Sequence, residues 1–384
     1  MAITLTVGCL LTVARAQVSS IDREQDVQFF PSFGYRVDNG QAWEVEIHGW
    51  VYERGHRAEL LGLLLRALGI DADELDPAGR ALLVERATWF LVDNESRERV
   101  VVRVGEAGHA GEQIVSCERS RANGHFTGHA RVPAWAPANT ATALSTSPDT
   151  APAPATQTAT APALTAAMPT LPLHVLLRRG DARQFTGEVE LIDEVGISVI
   201  SDIDDTLKIS EVTDKKSLLR NTFLRPYAAV PGMADVLAAW AKPGGVSFHY
   251  VSASPWQLYA PLSSFFKAAG FPRGTFHLKT FRWKDESFFN LFQSPEVYKP
   301  PVIEDLLGKF PRRQFVLVGD SGEKDPEIYA ALARKHPQQI VRIFIRDIGP
   351  PGANDARFRQ VFDGLPAELW QAFREAQELP GRLP

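Results

Sequence analysis

From residue 196 onward the chain alternates short, mostly apolar runs with segments of helical spacing, and few folds accept that order. Residues 197–201, 247–252, 276–281, 314–319 and 340–345 read as strands rich in β-branched, aliphatic and aromatic side chains. Residues 233–241, 257–269, 301–309 and 326–336 carry helical periodicity between them. Strands joined through helices pair in parallel, because a crossover of that length carries the chain back to the starting edge. The expected fold class is therefore α/β, a doubly wound Rossmann-like parallel sheet over residues 196–350.

The preceding half reads differently. Residues 26–33, 42–52, 99–104, 113–117 and 125–132 carry strand pattern, and 60–68 and 78–90 carry helical spacing. Residues 21–133 are thus expected to form an N-terminal β-rich domain with a helical insertion. Residues 134–170 are almost entirely Ala, Thr, Pro and Ser, a composition that cannot bury enough apolar surface to offset its ordering entropy. They are expected to be a disordered insertion, with the strands in 171–195 completing the N-terminal domain and 351–384 forming a C-terminal helical extension. Residues 1–20 form a poorly defined segment. Its apolar run 3–13 and Ala14-Arg15-Ala16 resemble a signal peptide that lacks a positive n-region. A cleaved signal over 1–16 would mean export; without one, a cytoplasmic or peripheral membrane location is expected. No other apolar run is long enough for a transmembrane helix.

Composition excludes some function classes. The chain has 384 residues, 45% of them hydrophobic, and a net charge of −5. That suits two ordinary globular domains and argues against nucleic acid as the partner. Cys9 and Cys117 make neither a metal motif nor a disulfide framework, and His48, His125 and His129 lie at no metal-ligand spacing, so structural roles are expected for them.

The chemistry lies at the strand ends. In open parallel sheets ligands bind outside the carboxyl ends of the strands. Asp202, Asp204, Asp205 and Thr206 follow the first strand, Ser252 and Ser254 the second, and Asp320, Ser321 and Asp325 the fourth; Lys299 precedes the helix before it. Taken alone, Asp-Ile-Asp-Asp-Thr reads equally as a solvated, helix-capping turn. Carboxylates crowded behind an apolar strand are costly without a cation, which favours a metal site. The residue types suit Mg2+-dependent phosphoryl transfer. Mg2+ takes hard oxygen ligands and removes the repulsion between anionic ester and anionic nucleophile. One Asp attacks phosphorus and a second moves the proton, while Lys and hydroxyl groups hold the phosphoryl oxygens.

This order of motifs resembles the haloacid dehalogenase superfamily and, within it, the App1-type phosphatidate phosphatase family. The resembling stretches are 198–208 (SVISDIDDTLK), 250–259 (YVSASPWQLY) and 318–329 (VGDSGEKDPEIY), supported less sharply by Phe29-Phe30-Pro31 and 47–51 (IHGWV) in the N-terminal domain. The resemblance implies Asp202 as nucleophile and Asp204 as general acid and base. It also implies Ser252 on the phosphoryl group, Thr206 supporting the loop beside it, and Lys299 stabilising an aspartyl-phosphate. Asp320 would bind Mg2+, with Asp325 a ligand or an orienter of metal water; with Asp202 and Asp204 these make the expected metal set. The implied reaction is hydrolysis of phosphatidate to diacylglycerol and phosphate.

Two segments bear on substrate choice. Residues 209–229 carry Lys215, Lys216, Arg220 and Arg225; residues 281–298 carry Trp283, Phe288, Phe289, Leu291 and Phe292 beside Lys279, Arg282 and Lys284. They read either as a basic and aromatic lip for phosphatidate or a similar anionic lipid at a membrane surface, or as a small cap packed on the core. Alternative readings are a phosphatase of a soluble phosphomonoester, a phospho-accepting signalling module and a binding protein with a decayed site.

Overall fold

The computed structural model describes residues 18–55, 65, 75–109, 111–134, 169–281 and 295–383. The apolar segment 3–13 with its cleavage-like site, nearly all of the helical 60–68, nearly all of the insertion 134–170, and Arg282 to Phe292 of the aromatic lip lie outside the described residues.

The N-terminal strands are β1 (Gln25–Phe29), β2 (Ser32–Val37), β3 (Ala42–Glu53), β4 (Asp93–Asn94), β5 (Val101–Val104), β6 (Gln113–Ser116), β7 (His125–Pro133), β8 (Thr170–Val175) and β9 (Thr186–Ile192). They form one sheet ordered β1-β3-β2-β9-β8-β5-β6, with β4 and β7 also paired to β3. Thus β8 and β9, which follow the Ala/Thr/Pro-rich stretch, lie in the middle of this sheet. Most of β3 alternates buried and half-buried residues, the period of a strand with one face on a core. Val45, Ile47, Val102, Val104, Leu173 and Val189 fill that core. Helix α1 (Pro77–Thr88) is capped by Asp76, whose carboxylate accepts from Gly79 N, and starts on a proline.

The second sheet contains β10 (Ile197–Ser201), β11 (Val246–Pro255), β12 (Thr275–Lys279), β13 (Gln314–Asp320), β14 (Ile340–Arg346) and β15 (Trp370–Phe373). Every pairing in it is parallel, in the order β12-β11-β10-β13-β14-β15. Helices α2 (Lys215–Phe223), α3 (Met233–Ala241), α4 (Tyr259–Ala269), α5 (Pro295–Lys309), α6 (Asp325–Lys335) and α7 (Asp355–Val361) accompany it. The expected parallel α/β sheet is present, with two differences. The C-terminal residues expected to be helical supply one short helix and then the edge strand β15, whose four residues are too few to show a period. The basic insertion after β10 contains α2, a one-face helix capped by Asp214.

The sheets share a boundary. Phe30, Trp50 and Tyr52 from the first pack in one cluster with Trp256, Leu258 and Phe276 from the second. Arg313, almost wholly buried, clamps the connection: it donates to the carbonyls of Asp193, Val195, Ile197 and Gly245 and to Ser198 Oγ. Gly196 sits there at φ +131°, and a Cβ on it would lie 2.9 Å from Gly245 O, so only glycine fits. Among the described residues no helix is long and apolar enough to cross a membrane.

Candidate active site

Strand order reverses between β10 and β13, and the carboxyl edge at such a switch point is where open α/β sheets bind ligands. Asp202 leaves β10 there, its N–H donating to Val318 O of β13 at 2.9 Å. Asp320 ends β13, and Asp325 starts α6 after a tight turn in which Asp320 Oδ1 accepts from Gly322 N at 2.6 Å. Gly319 is needed at the close approach, since a Cβ would stand 2.4 Å from Asp325 Oδ2. Carboxylate oxygens of Asp202, Asp320 and Asp325 all lie within 4.8 Å of one another, and all three residues are buried.

One cation among the described residues enters this group. Lys299, in the first turns of α5, is fully buried; its Nζ lies 2.8 Å from Asp202 Oδ1, 2.5 Å from Asp325 Oδ1 and 3.5 Å from Glu323 Oε2. Burial, against the pull of Lys299, pushes the Asp202 carboxyl well up, and Asp325 and Asp320 add to it. Burial and then the Asp325 charge do the same to Asp320. Burial works against the Lys299 charge, but Asp202, Asp325 and Glu323 overcome it and hold the ammonium well above its ordinary range. Asp202 Oδ2 and Asp320 Oδ2 are buried and accept no hydrogen bond. Two unpartnered carboxylate oxygens in an all-oxygen cluster of excess negative charge fit a hard divalent cation, which would satisfy both.

Asp204 stands apart from that cluster. Asp204, the fourth residue of the expected metal set, has its carboxylate turned to other partners, so that side chain is not in the carboxylate cluster. Its Oδ1 accepts from Lys208 Nζ at 2.7 Å and Ser210 Oγ at 2.7 Å; its Oδ2 accepts from Ser252 Oγ at 3.0 Å and Ser254 Oγ at 2.9 Å. Burial alone would raise its pKa, but the Lys208 ammonium and the hydrogen bonds prevail and hold it at about 2. Ser252 therefore lies beside Asp204, at the irregular end of β11 where register shifts after Ser252. Thr206 is fully buried and its Oγ1 is unpartnered.

Several contributors escaped the sequence reading. Asp205, to which no role was assigned, sits at φ +56° and accepts from the N–H groups of Ser210, Glu211 and Val212, folding the loop that brings Lys208 and Ser210 back to Asp204. Arg346 donates to Asp205 O at 2.6 Å. Burial, against Lys299, pushes the Glu323 carboxyl up to about 7. Lys208 stands four residues after Asp204, and Glu323 lies inside the Gly-Asp motif, but spacing alone cannot say which surface residue folds inward. Of the basic residues, Lys215, Lys216, Arg220 and Arg225 are exposed, whereas Phe281 is buried with its ring centre 6.2 Å from that of Phe90.

Comparison with known proteins bears on the same region. Residues 197–347 match the family described as phosphatidate phosphatase APP1, catalytic domain. Phosphatidate phosphatase APP1 of Saccharomyces cerevisiae is 38% identical over 160 residues, covering 40% of this chain and 26% of that protein. An uncharacterized protein of Schizosaccharomyces pombe is 33% identical over 170 residues, 43% of this chain and 27% of that protein. The chain thus spans about a quarter of the length of these curated relatives. The match begins with β10 and ends one residue past β14, so it contains every carboxylate and lysine described above. Residues 197–347, about two fifths of the chain, are thus similar to the App1-type phosphatidate phosphatase catalytic domain.

Proposed function

We propose that this chain is a Mg2+-dependent phosphatase that hydrolyses phosphatidate to diacylglycerol and phosphate. The observation that carries the reading is the cluster of Asp202, Asp320, Asp325 and Lys299 at the switch point, with two buried carboxylate oxygens unpartnered. Asp202, Asp320 and Asp325 would hold the metal, which supplies charge neutralisation that lets a carboxylate approach an anionic ester.

An Asp202 carboxylate oxygen attacks phosphorus in line, and the bond from phosphorus to the glycerol oxygen breaks. Lys299 stabilises the resulting aspartyl-phosphate, its ammonium already 2.8 Å from the nucleophile. Asp204 gives its proton to the leaving alkoxide. It then takes one from the water that attacks phosphorus, releasing phosphate and restoring Asp202. Asp204 is ionised in the free site. A phosphate dianion beside it disfavours that charge and competes for the Ser252 and Ser254 hydroxyls, so substrate itself raises the proton affinity of the acid. The exposed lysines and arginines of α2 and the segment after it supply a basic surface suited to peripheral contact with an anionic membrane interface.

The test is phosphate release from phosphatidate in mixed micelles and from a panel of water-soluble phosphomonoesters, with Asp202→Asn as control. EDTA should stop release and Mg2+ restore it. Asp202→Asn should abolish turnover; activity retained within about tenfold would sink the nucleophile assignment. A soluble ester hydrolysed as well as phosphatidate would transfer the same chemistry to a soluble substrate.

A further inference from the structure

Arg86, on α1 of the N-terminal half, reaches across to the catalytic half. It is almost fully buried. Its Nη1 donates to Thr222 O at 2.6 Å and to Arg225 O at 2.8 Å. Those carbonyls belong to the last turn of α2 and the residues just after it, where backbone acceptors lack helical partners and a positive charge opposes the negative end of the helix. Arg86 is thus the C-terminal cap of α2, supplied by another part of the chain. Its guanidinium also stacks over the Tyr227 ring, 3.8 Å from the ring centre.

Both contacts lead to Asp204. From α2, Asn221 Nδ2 donates to Ser210 O at 3.1 Å, and Ser210 Oγ donates to Asp204. Lys208 Nζ also lies 5.0 Å from the Tyr227 ring centre and 2.7 Å from Asp204 Oδ1. Backbone pairing joins the two stretches, Ile209 N donating to Ala228 O and Val230 N to Leu207 O. Two of the four donors to Asp204, Lys208 and Ser210, therefore rest on a loop held against the helix end that Arg86 ties down.

We infer that Arg86 is a positioning residue for Asp204, so that the N-terminal half completes the geometry of the proton donor. The inference rests on the phosphatase reading above. A donor matters most where the leaving group is poor, since an alkoxide needs its proton while a nitrophenolate does not. Misaiming Asp204 should therefore slow alkyl phosphates selectively, whereas general loosening of the site would slow all esters alike.

The experiment compares kcat and KM for phosphatidate and for para-nitrophenyl phosphate in the full chain and in Asp204→Asn, Arg86→Met, Arg86→Lys and Tyr227→Leu. Arg86→Met should lower kcat on phosphatidate about tenfold or more with KM little changed, and lower it on the nitrophenyl ester less than about threefold. Tyr227→Leu, which leaves α1 untouched, should give the same pattern in milder form. Arg86→Lys should recover part of the loss, since its ammonium can still donate to both carbonyls but cannot stack on Tyr227 as the guanidinium does. If Arg86→Met fails to fold, the Arg86→Lys and Tyr227→Leu ratios decide. Equal losses on both esters, or none, while Asp204→Asn keeps the selective pattern would overturn the inference. Loss of that pattern in Asp204→Asn itself would instead overturn the proton-donor reading.

Discussion

In the N-terminal sheet, His48 and His125 lie side by side with Nε2 and Nδ1 2.9 Å apart, enclosed by Phe30 and Trp256. Burial holds His48 down at about 3 and His125 well below its ordinary range, so both rings are neutral and each satisfies the other. At the carboxyl edge of the parallel sheet the pattern is inverted. Asp202, Asp320 and Asp325 are buried but of like charge, with Lys299 between Asp202 and Asp325 and two oxygens unsatisfied. A fold that only needed stability would neutralise such groups as the histidine pair does. Groups left buried and unsatisfied mark the place where something else is to bind.

That contrast sets the order of the expected effects. Lys299→Ala removes the cation that Asp202 and Asp325 share; kcat should fall about 100- to 1000-fold, with KM moving far less. A pure KM effect in steady-state kinetics would remove Lys299 from charge stabilisation. Asp320→Asn removes one of the crowded like charges. It should raise the Tm of the metal-free protein by about 2–4 °C and abolish the further rise that Mg2+ gives the unsubstituted chain, read by thermal denaturation with and without the ion. A mutant still stabilised by Mg2+ would dismantle the metal reading of the cluster.

Glu190 offers a third test at the boundary between the two sheets. Burial, despite Arg273 and Arg313, pushes its carboxyl up from 4.5 to about 7. The folded state then binds the proton more tightly than the unfolded state does. Stability from this group is fully present below about pH 4.5, is lost as pH rises toward 7, and is not recovered above it. Glu190→Gln should therefore stabilise the protein at pH 8 by on the order of 2–3 kcal/mol and by little at pH 4.5. Denaturant midpoints at the two pH values check it, and equal midpoint shifts would show that Glu190 is not desolvated. The smallest effect is expected in the histidine pair: His48→Leu should cost about 1–3 kcal/mol of stability by stranding His125, with kcat unchanged.

Much of the catalytic half was legible in advance because parallel strands are buried on both faces. Residues 197–201 and 314–319 stand out as apolar runs, and the polar residues that follow them mark the functional edge. Asp202, Asp320 and Asp325 were readable this way and Lys299 through the family resemblance, and all four converge in the structure. What was not legible depended on side-chain direction. Nothing in the spacing showed that the Asp204 carboxylate points to Lys208, Ser210, Ser252 and Ser254 and not into the cluster of the other three acids. Asp205 looked idle and in fact folds the loop that supplies two of those donors. The strand β15 was missed because four residues, three half-buried and one buried, carry no period.

The sequence by itself determined the alternation of strand and helix, and with it a parallel sheet whose carboxyl edge gathers the acids; periodicity and strand polarity are local properties. Only the tertiary structure decided which carboxylates face one another and which are drawn off by hydroxyls and Lys208. It also revealed that Arg86, more than a hundred residues before Asp204, ties down the helix and loop that aim it. Those outcomes depend on burial and on contacts between distant segments, where a few ångströms separate a crowded charge from a satisfied one and no spacing in the chain records the difference.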